Sequence, residues 1–145
     1  MAEEHFASQV IRDSIIRLQG AMRVPEAKNG SALCLNLSSE LHDIALKMVD
    51  HLLELRGYRV LFSGQITPLY KIESLFDKYT PDRVYVSSTV VREPSLAQLE
   101  LNHLFEICEE YGVETYIGGR GMDELSTDHP AIAQRLESFR EVFEV

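Results

Sequence analysis

His42 is the side chain in this sequence best placed to do chemistry. It sits in a short polar stretch, Ser38-Ser39-Glu40-Leu41-His42-Asp43, directly after an apolar run. An imidazole in such a loop can present one ring nitrogen to a metal centre. A carboxylate two residues earlier, Glu40, can then accept the other ring N–H and fix the tautomer. A plainer role is also open to His42, as a helix cap or a solvated neighbour of Asp43. Three further stretches carry candidate residues: Ser87-Ser88-Thr89, Gly118-Gly119-Arg120-Gly121 and Gly64-Gln65-Ile66-Thr67-Pro68. Ser87, Thr89, Gly118 and Gly119 suit a slot, because glycines admit a ligand close to the backbone and hydroxyls donate to it. Gly64 and Thr67 are the candidates in the last stretch. The bland alternative is that Gly118-Gly119 makes a turn and the serines cap the next helix.

These stretches share one position in the expected architecture. Short apolar runs at 32–37, 59–62, 83–87 and 114–117 alternate with helical periods at 45–55, 69–79 and 95–111. Gly57 and Gly112 mark helix ends, and Thr80-Pro81 closes the second period. Strand–helix alternation with short connections predicts a parallel sheet covered on both faces by helices, a flavodoxin-like, doubly wound α/β fold. A fifth, edge strand is expected at 132–136. The capping-box pattern Ser138-Phe139-Arg140-Glu141 predicts a last short helix starting at Ser138. In such a sheet the ligand lies beyond the carboxyl ends of the strands, where all four stretches fall. Ahead of the sheet, Ala7, Ile11, Ile15, Leu18 and Met22 recur at helical spacing. A helix and linker over 1–29 followed by an α/β domain over 30–145 is therefore expected.

Composition narrows the class. A chain of 145 residues makes one domain with little to spare. Fourteen Lys and Arg against twenty-three Asp and Glu leave a formal charge of −9. That balance argues against direct binding of DNA or an anionic membrane by this chain. No apolar run approaches the ~20 residues of a membrane span. Cys34 and Cys108 lie within apolar runs, as buried thiols in a reducing, cytoplasmic setting do. Both lack an adjacent base, which disfavours nucleophilic catalysis. There is no tryptophan. A phosphoacceptor site needs an Asp after the third strand, where Ser87-Ser88 stands. The stretch Ser38-Ser39-Glu40 is too short and too acidic for a flavin phosphate loop, and no G-x-G-x-x-G turn is present.

With the elements in place, the loops resemble those of cobalamin-binding domains. Glu40-Leu41-His42-Asp43-Ile44-Ala45 resembles the D-x-H-x-x-G signature of that family, Ser87-Ser88-Thr89 its S-x-T/L element, and Gly118-Gly119 its G-G element. Spacing agrees over residues 31–124, roughly two-thirds of the chain. The resemblance implies that His42 ligates the cobalt of cobalamin from below, with the nucleotide tail beside Ser87 and Gly118. Glu4-His5, leading into Ile11-Arg12, is similar to the E-H segment of MerR-type, light- and cobalamin-responsive transcriptional regulators. There a helical bundle covers the upper face of adenosylcobalamin, and His5 takes the position of the E-H histidine. Two features depart from the pattern: Ala45 replaces the signature Gly, and the tryptophan upstream of the E-H pair is missing.

The resemblance implies a non-catalytic sensor domain, with DNA bound only through a winged-helix domain missing from this chain. It also implies a fragment or a divergent member; a homo-oligomer is expected on every reading, because the amphipathic first helix must bury its stripe somewhere. Two other readings stand beside it. One is the small cobalamin-carrying subunit of a mutase or corrinoid methyltransferase. The other is an interaction module that keeps the fold without the cofactor.

Overall fold

Strands buried on both faces show unbroken apolar runs rather than alternation, and three such runs form the middle of this sheet. The computed structural model describes residues 2–63 and 69–145. In chain order the elements are α1 (Ala2–Ala21), β1 (Ser31–Asn36), α2 (Ile44–Leu55), β2 (Arg59–Phe62) and α3 (Glu73–Tyr79). They continue with β3 (Arg83–Ser87), α4 (Pro94–Tyr111), β4 (Glu114–Gly118), β5 (Ile132–Leu136) and α5 (Glu141–Glu144). All five strands are parallel, in the order β2-β1-β3-β4-β5. This is the flavodoxin-like arrangement expected from the sequence, with the edge strand where it was placed.

Two apolar layers hold the sheet. On one face Phe76 of α3 and Leu101, Leu104 and Phe105 of α4 pack on Leu33, Leu35, Val84, Val86 and Ile117. On the other, Leu46 and Leu53 of α2 and Val142 of α5 pack on Ala32, Cys34, Tyr85 and Tyr116. Pro94 opens α4, where a missing N–H costs nothing, and Gly112 ends it in the left-handed region at φ 66°. Burial, reinforced by the nearby Asp50 carboxylate, pushes the Cys34 thiol well above its ordinary value. Burial raises Cys108 to about 11. Both thiols are therefore protonated and inert at neutral pH, as the sequence suggested.

Two helix boundaries differ from expectation. The period at 69–79 is split, a 3-10 turn at Leu69–Lys71 preceding α3. The last helix begins at Glu141 rather than Ser138. Glu141 accepts hydrogen bonds from the Ser138 hydroxyl and the Glu137 N–H, both at 3.1 Å, so the capping residues form the turn ahead of the helix.

Helix α1 lies along α2 by an unexpected face. Of the predicted apolar stripe only Ile15 is half-buried, while Ala7, Ile11, Leu18 and Met22 are exposed. The face turned inward carries Ser8, Arg12, Ile15 and Gln19. The reason is electrostatic: the carboxylate of Asp43, at the start of α2, is buried and takes its cation from α1, while the buried Asp50 is already paired with Lys47 at 2.9 Å and gains a further donor. Arg12 reaches Asp43 at 2.6 Å, and Gln19 reaches Asp50 at 3.4 Å and Glu54 at 3.3 Å. Since Arg12 meets the start of α2 and Gln19 its later turns, the two helices run parallel. About two turns of α1 thus project past the start of α2, beyond the carboxyl edge of the sheet. Among the described residues, no helix is long and apolar enough to cross a membrane.

Candidate functional site

Strand β1 delivers the chain to the carboxyl edge at Asn36, and the loop to α2 is fastened there from three sides. The Ser38 N–H donates to Glu100 of α4 at 3.1 Å, and the Ser38 hydroxyl donates to the same carboxylate. The Asn36 side-chain amide donates to the His42 carbonyl at 3.0 Å. Glu40 turns inward and is wholly buried.

Its carboxylate is the hub of the site. One oxygen accepts the His42 backbone N–H at 2.7 Å and meets His42 Nδ1 at 2.6 Å. The other accepts the N–H of Val90 at 3.0 Å and that of Thr89. Burial alone would push the Glu40 carboxyl up. The backbone donors of Val90, His42 and Thr89, joined by the His42 ring, outweigh it and hold the carboxyl below its ordinary range. Glu40 therefore does what the sequence suggested, taking one ring nitrogen of His42, and also ties the β1 loop to the β3 loop.

The geometry leaves His42 with a single outlet. Its ring is held at Nδ1 by a buried carboxylate, and its side chain is 48% exposed. With Nδ1–H donated to Glu40, the lone pair at Nε2 faces outward. Among the described residues no group of three His, Cys, Asp or Glu converges to hold a metal ion. A lone, pre-oriented imidazole suits a metal whose other ligands arrive with it, as in a macrocycle.

The glycine loop meets the serine loop backbone to backbone. Ser88 N–H donates to the Gly118 carbonyl at 3.1 Å, and Gly121 N–H donates to the Ser88 carbonyl at 2.9 Å. Gly119 has φ 94°, and a Cβ there would sit 2.2 Å from the Ser88 oxygen. A Cβ on Gly118 meets only the Leu136 carbonyl, at 3.4 Å. The two glycines thus have different jobs: Gly119 lets the loops touch, and Gly118 keeps the strand end small. Gly119→Ala is expected to destabilise by about 3 kcal/mol, from strain and a backbone clash, and Gly118→Ala by about 1 kcal/mol or less. Urea unfolding of the two variants measures this, and equal losses would contradict it.

The other candidates fall at several places. Ser87 is buried at the end of β3 and pairs in register with both Asn36 and Gly118. Thr89 is exposed, its N–H spent on Glu40. Ala45 is half-buried in the first turn of α2. His5 is exposed on the projecting part of α1, on the side of the molecule where His42 lies. Gly64 and Thr67 lie outside the described residues. Sequence reasoning missed the supporting roles of Asn36, Ser88, Glu100 and the Arg12–Asp43 pair. Asn36 carried a visible signal, the one polar residue within the first apolar run. Glu100 carried none, because its partner is 62 positions away in the chain.

No protein-family model matches the chain, and no curated protein does. Among solved structures, it is similar to a novel cobalamin-binding protein from Desulfitobacterium hafniense DCB-2, with a TM-score of 0.54 and 19% identity. That match covers 87% of this chain and 63% of the other. It is also similar to the methanol:cobalamin methyltransferase complex MtaBC from Methanosarcina barkeri, with a TM-score of 0.56 and 20% identity. Here 70% of this chain and 38% of the other are covered. At such identities the likeness is one of fold.

Proposed function

We propose that this chain is a corrinoid-binding sensor module, in which His42 Nε2 takes the lower position on the cobalt of cobalamin. The observation that carries the reading is the His42–Glu40 pair at the carboxyl edge of a parallel sheet: a half-exposed imidazole fixed at Nδ1 by a buried carboxylate. The fold shared with a cobalamin-binding protein supports it. Bound there, a corrinoid supplies a cobalt centre whose upper ligand can change with light or with cofactor supply. The chain's own residues do the holding. Glu40 orients the ring, Asn36 and Glu100 fix the loop, and Ser87 and Gly118 form a narrow, small-residue floor beside it.

On this reading the chain is a regulatory part of a MerR-type protein in the cytoplasm, with DNA contacted by a separate winged-helix domain. The projecting end of α1, with Glu4 and His5, would lie towards the upper face of the ligand. The exposed apolar side chains of α1, among them Phe6, Ile11 and Leu18, favour assembly with further copies. The likeness to a methyltransferase complex favours a second reading, a corrinoid-carrying subunit that serves a catalytic partner.

Incubation with hydroxocobalamin and, separately, with aquocobinamide, each followed by gel filtration, tests the corrinoid reading. A red species containing about one corrinoid per chain, with a shifted visible spectrum, is expected. A protein peak left colourless by both corrinoids would overturn it. Dark and illuminated spectra with adenosylcobalamin then separate the sensor from the carrier subunit, whose turnover would instead need a partner enzyme.

A further inference from the structure

The strand registers divide the α2-covered face of the sheet into rungs. The top rung, at the carboxyl edge, is Asn36, Ser87, Gly118 and Leu136. The rung beneath it is Phe62, Cys34, Tyr85, Tyr116 and Gln134. Side chains alternate between faces along a strand, so Tyr85 lies directly below Ser87, and Tyr116 below Gly118. The two rings stack, with centroids 4.8 Å apart and planes 13° from parallel. They are 2% and 5% exposed and belong to the same apolar layer as Leu46 and Leu53 of α2.

Contacts below hold the rings in place. The Arg83 guanidinium lies 5.4 Å from the ring centroids of both Tyr58 and Tyr116. The Tyr116 hydroxyl donates to Glu114 at 3.0 Å. A ligand seated on His42 therefore meets small side chains, Ser87 and Gly118, only on the top rung. One step deeper, the gap between sheet and helix that a flat nucleotide base would need is filled by two aromatic rings. Admitting a base would expel rings that bury roughly 150 Å² or more each.

We propose that the Tyr85–Tyr116 stack closes the space between the sheet and α2 to a nucleotide tail, and so sets this module to select corrinoids without one, the cobinamide class, over complete cobalamins. The proposal rests on the corrinoid reading above and names the form of ligand that His42 would take. It departs from the expectation that a tail lies beside Ser87 and Gly118: those residues form the floor of a shallow site rather than the mouth of a deep slot.

Visible titrations of the full chain with aquocobinamide and with hydroxocobalamin test the proposal, on the wild type and on Tyr85→Val, Tyr116→Val and Tyr85→Phe. The wild type is expected to bind cobinamide at least about tenfold more tightly. Free cobalamin carries its own base, which competes with His42 for cobalt, but no change at Tyr85 alters that competition. Tyr85→Val should therefore raise cobalamin affinity by about tenfold and leave cobinamide within about twofold. Tyr85→Phe, which keeps the ring, should behave as the wild type. Where Tyr85→Val fails to fold by circular dichroism, Tyr116→Val carries the same expectation. A wild type that binds cobalamin as tightly as cobinamide, or folded valine variants that gain nothing for cobalamin, would overturn the inference. A wild type that binds neither corrinoid would overturn the functional reading itself, a separate and recognisable result.

Discussion

Glu40→Ala is expected to lower the unfolding free energy by about 3 kcal/mol, among the larger effects open to a single substitution here. The carboxylate accepts backbone N–H groups from His42, Thr89 and Val90 and faces the His42 ring. Removing it leaves three main-chain donors without their acceptor in a part-buried position, each costing about 1 kcal/mol. It also severs the link between the β1 and β3 loops. Urea denaturation measures the loss. A change below about 1 kcal/mol would show that water satisfies the same donors and that the hub is dispensable for folding.

The same carboxylate makes a signed prediction for pH. Its donors hold the folded-state carboxyl below the ordinary value of 4.5. A depressed carboxyl contributes stability that is fully present above the unfolded-state value and is lost as pH falls through the folded one. The stability gap between wild type and Glu40→Gln should therefore be flat above about pH 5 and shrink as pH drops below 4.5. A gap that widened on acidification would mean that the carboxyl is raised, with burial prevailing over the hydrogen bonds.

Much of the sheet could be read from the sequence because its physics is local. Runs such as Val84-Tyr85-Val86 are apolar throughout since both faces are covered, and Gly57 and Gly112 stop helices by their backbone freedom alone. The position of the site was legible for the same reason, since strand ends follow directly from strands. What escaped was set by pairings between distant residues. Periodicity assigns an apolar face to α1, yet the buried Asp43 at the start of α2 takes Arg12, and that polar face turns inward instead. Gly118 and Gly119 look alike in sequence, and only the approach of the Ser88 carbonyl separates them. Tyr85 and Tyr116 read as ordinary core residues until the register places one beside the other under the site.

His42→Ala is expected to weaken corrinoid binding by at least about a hundredfold while costing only about 1 kcal/mol of stability or less. The two effects separate because of where the ring sits. Its side chain is half-exposed, so truncation opens no core cavity, and Glu40 keeps its backbone donors from His42, Thr89 and Val90. Binding depends on the ring itself, because among the described residues no group of three metal-ligating side chains stands in for it. Glu40→Ala leaves the imidazole present but unoriented, and should cost about 10- to 100-fold in affinity, less than loss of the ring. Cobalt(II) cobinamide, which brings no base of its own, offers a second readout: its electron paramagnetic resonance should show splitting by one imidazole nitrogen in the wild type, lost in His42→Ala and restored by added imidazole. Unchanged affinity and an unchanged nitrogen splitting in His42→Ala would remove this residue from the metal and leave the carboxyl edge without its ligand.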